Sequence, residues 1–234
     1  MKKIDVCLTP ELLHLHQIDT SVVVVTDIFR ATSCMVTAFA HGVASITPVA
    51  TVEECKILQN QGYIAAAERD AHKVAGFDLD NSPFSYMDEA LRGSKIAVTT
   101  TNGTLSITKA KDAVAVVIGA FLNLNTVVEY LQNQPNDVII LCAGWKGKPN
   151  LEDTLFAGAV VEALKDSFLI AEDTALLAQR AYNEAKIDMV GYLAAASHLR
   201  RLQGLGINED IPFCLQHSVY EVLPVLKGSE LKID

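Results

Sequence analysis

The sequence is short of positive charge. Its 19 Lys and Arg stand against 28 Asp and Glu, a formal net charge of −9 over 234 residues. A general nucleic-acid binder needs a basic face, so that class is excluded. A small anionic ligand is not excluded, because a few local cations can hold one. Cys7, Cys34, Cys55, Cys142 and Cys214 are odd in number, widely spaced and without a CxxC. That excludes a disulfide framework and a zinc pattern, and the thiols read as small buried hydrophobes. No apolar run reaches transmembrane length. The opening MKKIDVCLTP is broken by Asp5 and too short for a signal peptide. Linkers, low-complexity segments and repeats are also missing. The expectation is a soluble cytoplasmic protein with no nucleic-acid or membrane partner.

What is present is material for a core. Half the residues are apolar and 20% are charged, enough for one large domain or two intimate lobes. The runs IDVCL, SVVVVT, ASITPVA, YIAAAE, SKIAVTT, AVAVVIGAF and DVIILCAG read as strands. SVVVVT is apolar almost throughout, as a strand covered on both faces is. RATSCMVTAFAHG reads as a helix with Ala31, Met35, Ala38 and Phe39 on one stripe and Gly42 as its stop. TVEECKILQNQG and LEDTLFAGAVVEALK also read as helices, the second with Leu155, Ala159, Val160 and Ala163 inward. Residues 171–203 are helical by composition, and FCLQHSVYEVLPVLK contains a further strand. The alternation predicts an α/β fold, a layered sheet with flanking helices, taken as a single unit over residues 1–234. Strand order is not legible.

Four strands end in polar loops: residues 27–32, Glu68 with Arg69, residues 99–104, and residues 142–153. Ligands in α/β sheets bind outside the carboxyl ends of strands, so these exits predict one shared site. In TTTNGT, Asn102 and Gly103 suit a tight turn that a ligand can approach closely, and the following short helix offers N–H groups to an anion. Thr99, Thr100, Thr101 and Thr104 add hydroxyls. The stretch is not a P-loop, since GxxxxGK[ST] is absent. Asp27 lacks the second Asp of a DxDxT phosphatase motif, because Phe29 stands in that place. It suits a Mg²⁺ ligand, a nucleophile or a base. Arg30 suits phosphate or a structural pair with Asp27. Glu152 and Asp153 suit helix capping or Mg²⁺ ligation. Cys142 can be a nucleophile or an inert buried thiol. His198, beside Arg200 and Arg201, can serve as a general acid or lie on an ordinary helical face. Trp145, with Lys146 and Lys148, reads as a mobile flap or, by default, as a surface loop. Residues 68–83 are polar and long for a loop, which is often functional.

Taken together, DIFRAT, AER, GFDLDNSP, TTTNGT, IGAFLN, CAG with LED, and the later SxH and FCLQ stretches resemble the 2-phosphosulfolactate phosphatase family, in the same order over about residues 4–225. The resemblance implies a Mg²⁺-dependent phosphatase that hydrolyses the phosphate ester of 2-phosphosulfolactate to sulfolactate in coenzyme M biosynthesis. Asp27, Arg30, Glu68, Glu152, Asp153 and His198 stand at matching positions, and we read Asp27, Arg30, Glu68 and His198 as catalytic and Asp27, Glu152 and Asp153 as metal ligands. Thr32, Arg69, Asn81, Ser82, Thr100, Thr101, Asn102 and Gly103 are the substrate-binding candidates; Asp78 and Cys142 also match. The expected molecule is a homo-oligomer, a dimer, acting on a small anionic phosphate ester. The rival reading is a non-catalytic binder of a small phosphorylated acid, which would keep the cradle and arginines but have no use for two carboxylate clusters.

Overall fold

The computed structural model describes residues 1–69 and 72–233, apart from the side chain of Arg69. The strands are β1 (Lys3–Cys7), β2 (Ser21–Thr26), β3 (Ser45–Pro48), β4 (Ile64–Arg69), β5 (His72–Lys73), β6 (Lys95–Thr99), β7 (Ala115–Gly119), β8 (Asp137–Cys142), β9 (Leu169–Ile170), β10 (Pro224–Lys227) and β11 (Glu230–Ile233). They form one sheet in the order β5-β4-β6-β3-β11-β10-β7-β2-β8-β1-β9. The helices are α1 (Ala31–Ala40), α2 (Val52–Gln59), α3 (Gly103–Lys109), α4 (Leu124–Asn133), α5 (Leu151–Leu164), α6 (Asp173–Ala185), α7 (Met189–Leu193), α8 (Ser197–Gly204) and α9 (Asp210–Cys214).

The valine run of β2 lies at the centre of a parallel block, in register with β7 on one side and β8 on the other. All six of its residues are buried. β-Branched side chains suit this place because they fill a pleated surface covered on both faces. A second parallel block is built from β3, β6 and β4. The antiparallel hairpin of β10 and β11 joins the two blocks, pairing Val225 with Val117 on one side and Leu231 with Ile46 on the other. Three antiparallel steps in succession make the two blocks run in opposite senses along the sheet. Each junction is a single residue pair.

α5 packs against β2, β8, α4 and α6. Gly158 permits the close approach to α6: a Cβ there would lie 2.0 Å from the carbonyl oxygen of Ala178. Leu155, Ala159 and Val160 face inward as their spacing predicts, but Ala163 is exposed. Phe156, Val161 and Leu164 are buried instead. The reason is that α5 is covered on more than one side, so its buried surface is broader than one amphipathic stripe. On α1, every residue from Ala31 to Phe39 is buried, again beyond the stripe expected. The short strands β5, β9 and β11 carry no clear alternation, and the sequence pattern does not predict them.

Candidate active site

The turn after β2 is tied to the core by its own hydroxyls and by one distant carboxylate. Asp27 N donates to Thr32 Oγ1 at 2.9 Å, and the same hydroxyl donates back to Asp27 O at 3.0 Å. Ser33 Oγ donates to Ile28 O at 2.9 Å. Ile28 N donates to Asp153 Oδ1 at 2.8 Å, while Gly144 N donates to Asp153 Oδ2 at 3.0 Å. Asp153, in the first turn of α5, therefore binds the exits of β2 and β8 together. A carboxylate at a helix start is favoured there by the dipole, and here it also satisfies two loop amides. The Phe29–Arg30 peptide bond is cis.

These exits open on one polar cavity. Its wall includes Asp27, Phe29 and Arg30 after β2, Glu68 on β4, Thr100, Thr101 and Asn102 after β6, and Gly144 and Trp145 after β8. Asn81, His198, Arg201 and Leu202 complete it. Carboxyl-end residues of two oppositely directed blocks thus share one cavity. All four polar loops picked out by their position after strands meet here.

Buried acids dominate the site. Asp27, Glu68, Glu152 and Asp153 are all buried. Burial raises the Asp27 pKa from 3.8 to about 7, the facing His198 opposes the rise, and the charges of Glu68 and Glu152 add to it. Burial also holds the Asp153 carboxyl well above its ordinary range, with the nearby Glu152 and Asp27 charges adding. Glu152 Oε1 lies 2.5 Å from His198 Nδ1, and Asn150 Nδ2 lies 3.2 Å from the same ring nitrogen. A carboxylate so placed favours the proton on Nδ1, leaving Nε2 for exchange with a ligand. Glu152 Oε2 is buried without a hydrogen-bond partner among the described residues.

After β6, Thr100 and Thr104 close a reciprocal pair. Thr104 N donates to Thr100 Oγ1 at 3.2 Å and Thr100 N donates to Thr104 Oγ1 at 3.3 Å. Gly103 begins α3 and touches the cavity wall from behind. A Cβ there would lie 2.7 Å from Ala31 Cβ and 3.0 Å from Asp27 Oδ2. Glycine is needed for this close packing of α3 against the start of α1.

The remaining candidates lie in other places. Thr32 is fully buried behind Asp27 and braces its backbone. Ser82 donates to Asp210 Oδ1 at 2.9 Å, in a neighbouring depression shared with Arg30 and Asp80. Asp78 accepts from Ala65 N at 2.8 Å and thus anchors the 68–83 segment to β4. The side chain of Arg69 lies outside the described residues. Cys142 is buried and its thiol is pushed well above its ordinary pKa, first by burial and then by the Asp153 charge. Sequence reasoning misses Asn150, just before LED, and Asp210, three residues before FCLQ, because neither stretch announces the distant partner each side chain meets. Trp145 lines the cavity at the head of a surface loop whose residues 146–149 are exposed, with Arg201 Cζ and Lys146 Nζ each 4.6 Å from its ring centre.

The model of the family described as 2-phosphosulpholactate phosphatase matches residues 7–229. A probable 2-phosphosulfolactate phosphatase of Thermotoga petrophila is 37% identical over 95% of each chain. Relatives given the same name in Caldanaerobacter subterraneus and Clostridium beijerinckii are 38% and 34% identical, over 88% and 98% of each chain.

Proposed function

This chain belongs to the 2-phosphosulfolactate phosphatase family, and we propose that it is a Mg²⁺-dependent phosphoric monoester hydrolase. Its substrate in this reading is 2-phosphosulfolactate, cleaved with water to sulfolactate and inorganic phosphate. The observation that carries the reading is the meeting of acids, Arg30, the Thr100–Thr101–Asn102 turn and His198 around one cavity. A site for a neutral ligand has no use for this charge. A phosphate ester does: Arg30 offers a planar fork to phosphoryl oxygens, and the hydroxyls of Thr100 and Thr101 offer further donors.

The donor set fits Mg²⁺. Glu152 Oε2 has no hydrogen-bond partner among the described residues, and Asp27 is a second hard oxygen ligand in the same buried group. Among the described residues, no cluster of three or more His, Cys, Asp or Glu could hold a metal alone. Mg²⁺ rarely asks for one, since it keeps waters and shares substrate phosphate with one or two carboxylates. Asp27 and Glu152 would hold it, with Asp153 bracing the loops through both its oxygens. The chemistry a bound Mg²⁺ supplies is neutralisation of phosphoryl charge. The chain's own groups move the protons: Glu68 takes one from the attacking water, and His198 Nε2 gives one to the leaving alcohol oxygen. Glu152 stabilises the charged ring through Nδ1.

The family resemblance supports a place in coenzyme M biosynthesis. Five free, buried cysteines fit a reducing compartment, which supports the cytoplasm. Among the described residues no helix is long and apolar enough to cross a membrane. Leu176, Leu177, Ile187 and Val190 are exposed on and between α6 and α7 and supply an apolar surface for a second copy, which supports a homodimer. Light scattering reads that state.

The test of function is phosphate release from 2-phosphosulfolactate and from 2-phospholactate, in Mg²⁺ and in EDTA. Release of phosphate with Mg²⁺ and its loss in EDTA is the expected result. Tight binding of either ester with no phosphate released under any condition would make the protein a binder.

A further inference from the structure

Asp210, at the start of α9, is buried and lies 180 residues along the chain from its partner Arg30. Arg30 Nη1 donates to Asp210 Oδ2, and Ser82 Oγ donates to Asp210 Oδ1 at 2.9 Å. Both oxygens of Asp210 are thus engaged, one by the arginine and one by a hydroxyl that fixes the carboxylate itself. Arg30 forms part of two surfaces. It lines the catalytic cavity with Asp27 and His198, and it lines the depression next to it with Asp80, Ser82 and Asp210. Asp210 and Ser82 touch only the second.

We infer that Asp210, backed by Ser82, is a positioning residue that grips the Arg30 guanidinium from outside the cavity and fixes the plane of the fork offered to the substrate. The inference rests on the reading that Arg30 meets the phosphoryl group. An arginine has a flexible stem and a rigid planar head with five donors. Pinning one nitrogen leaves the other donors in a set plane at a set depth. Without the pin, a long side chain meets the phosphoryl oxygens in many geometries, and a misplacement of about 1 Å can lower the rate about 10²-fold. The bland account is that Asp210 merely neutralises a buried charge, which any buried arginine needs. The two accounts differ in what the folded Asp210→Asn protein loses: charge neutralisation alone lowers the melting temperature and leaves kcat/KM and phosphate inhibition as they were, whereas positioning changes both kinetic readouts.

The experiment is a double-mutant cycle on phosphate release from 2-phosphosulfolactate in Mg²⁺, with melting curves for every variant. Asp210→Asn keeps the shape and is expected to lower kcat/KM by about 10²-fold while raising the inhibition constant of inorganic phosphate. Ser82→Ala is expected to produce the same two changes, several-fold in size. In an Arg30→Gln background, Asp210→Asn is expected to remove no further activity, because the group it acts through is absent. If Asp210→Asn fails to fold, Ser82→Ala provides the same cycle. Losses that multiply in the double variant, or native kinetics in folded Asp210→Asn, would overturn the inference. Native kinetics in Arg30→Gln would be a separate failure, of the phosphoryl role of Arg30 itself.

Discussion

Glu152 Oε1 sits 2.5 Å from His198 Nδ1 and so links the first turn of α5 to α8 across 46 residues of chain. One carboxylate oxygen orients the ring, while the second has no hydrogen-bond partner among the described residues. The two roles separate by mutation. His198→Asn is expected to lower kcat by roughly 10²- to 10⁴-fold, the usual scale for acid–base assistance, with an unchanged Mg²⁺ requirement. Glu152→Gln is expected to lower kcat and also to raise the Mg²⁺ concentration for half-maximal rate. A Mg²⁺ titration curve for Glu152→Gln that matches wild type would confine Glu152 to holding the ring.

Asp27 makes a prediction about pH. Its pKa rises from 3.8 to about 7, chiefly through burial. The folded protein therefore keeps a proton that the unfolded chain releases between about pH 4 and pH 7, and this group's contribution to stability declines as pH rises through that window. Asp27→Asn has no proton to release. In EDTA, the melting temperature of wild type should fall relative to the variant across that window, and the variant should be the more stable at about pH 8. With Mg²⁺, the same variant should lose activity by about two orders of magnitude or more. Near-native turnover would make Asp27 structural and shift its role to Glu68.

Gly103 should not tolerate a side chain. An added Cβ meets Ala31 Cβ at 2.7 Å and Asp27 Oδ2 at 3.0 Å. Neither neighbour is the end of a long flexible chain, so α3 or the Asp27 carboxylate must move. Gly103→Ala should lower both activity and melting temperature, and Gly103→Val more so, with a stability loss of about 1–3 kcal/mol typical of overpacking. Native kinetics in a folded Gly103→Val protein would remove this turn from the site.

Cys142 should behave as a buried thiol. It does not line the cavity, and its raised pKa leaves little thiolate at neutral pH. Cys142→Ser is expected to retain most of the activity, and iodoacetamide should label Cys142 only on unfolding. A phosphocysteine trapped at this position by rapid quench would reverse that assignment.

The parallel core and the chemistry of its edges are written in the residues themselves. The valines of β2 cannot be covered except inside a sheet, and polar residues directly after such strands must emerge at a carboxyl edge. Asp27, Glu68, Thr100 and Gly144 are therefore legible as edge residues from their neighbours along the chain, because strand period and burial are local properties. Which edges face one another is not local. Two blocks of opposite sense, joined by the β10–β11 hairpin, contribute carboxyl-end residues to one cavity, and no run of residues announces that meeting. Folding also sets Thr32 to brace a backbone, Asp153 to tie two loops, and Asp210 to hold Arg30 from 180 residues away. A side chain's spacing states which face of a strand or helix it takes. The partner it meets depends on how distant segments cross, and no local pattern records that.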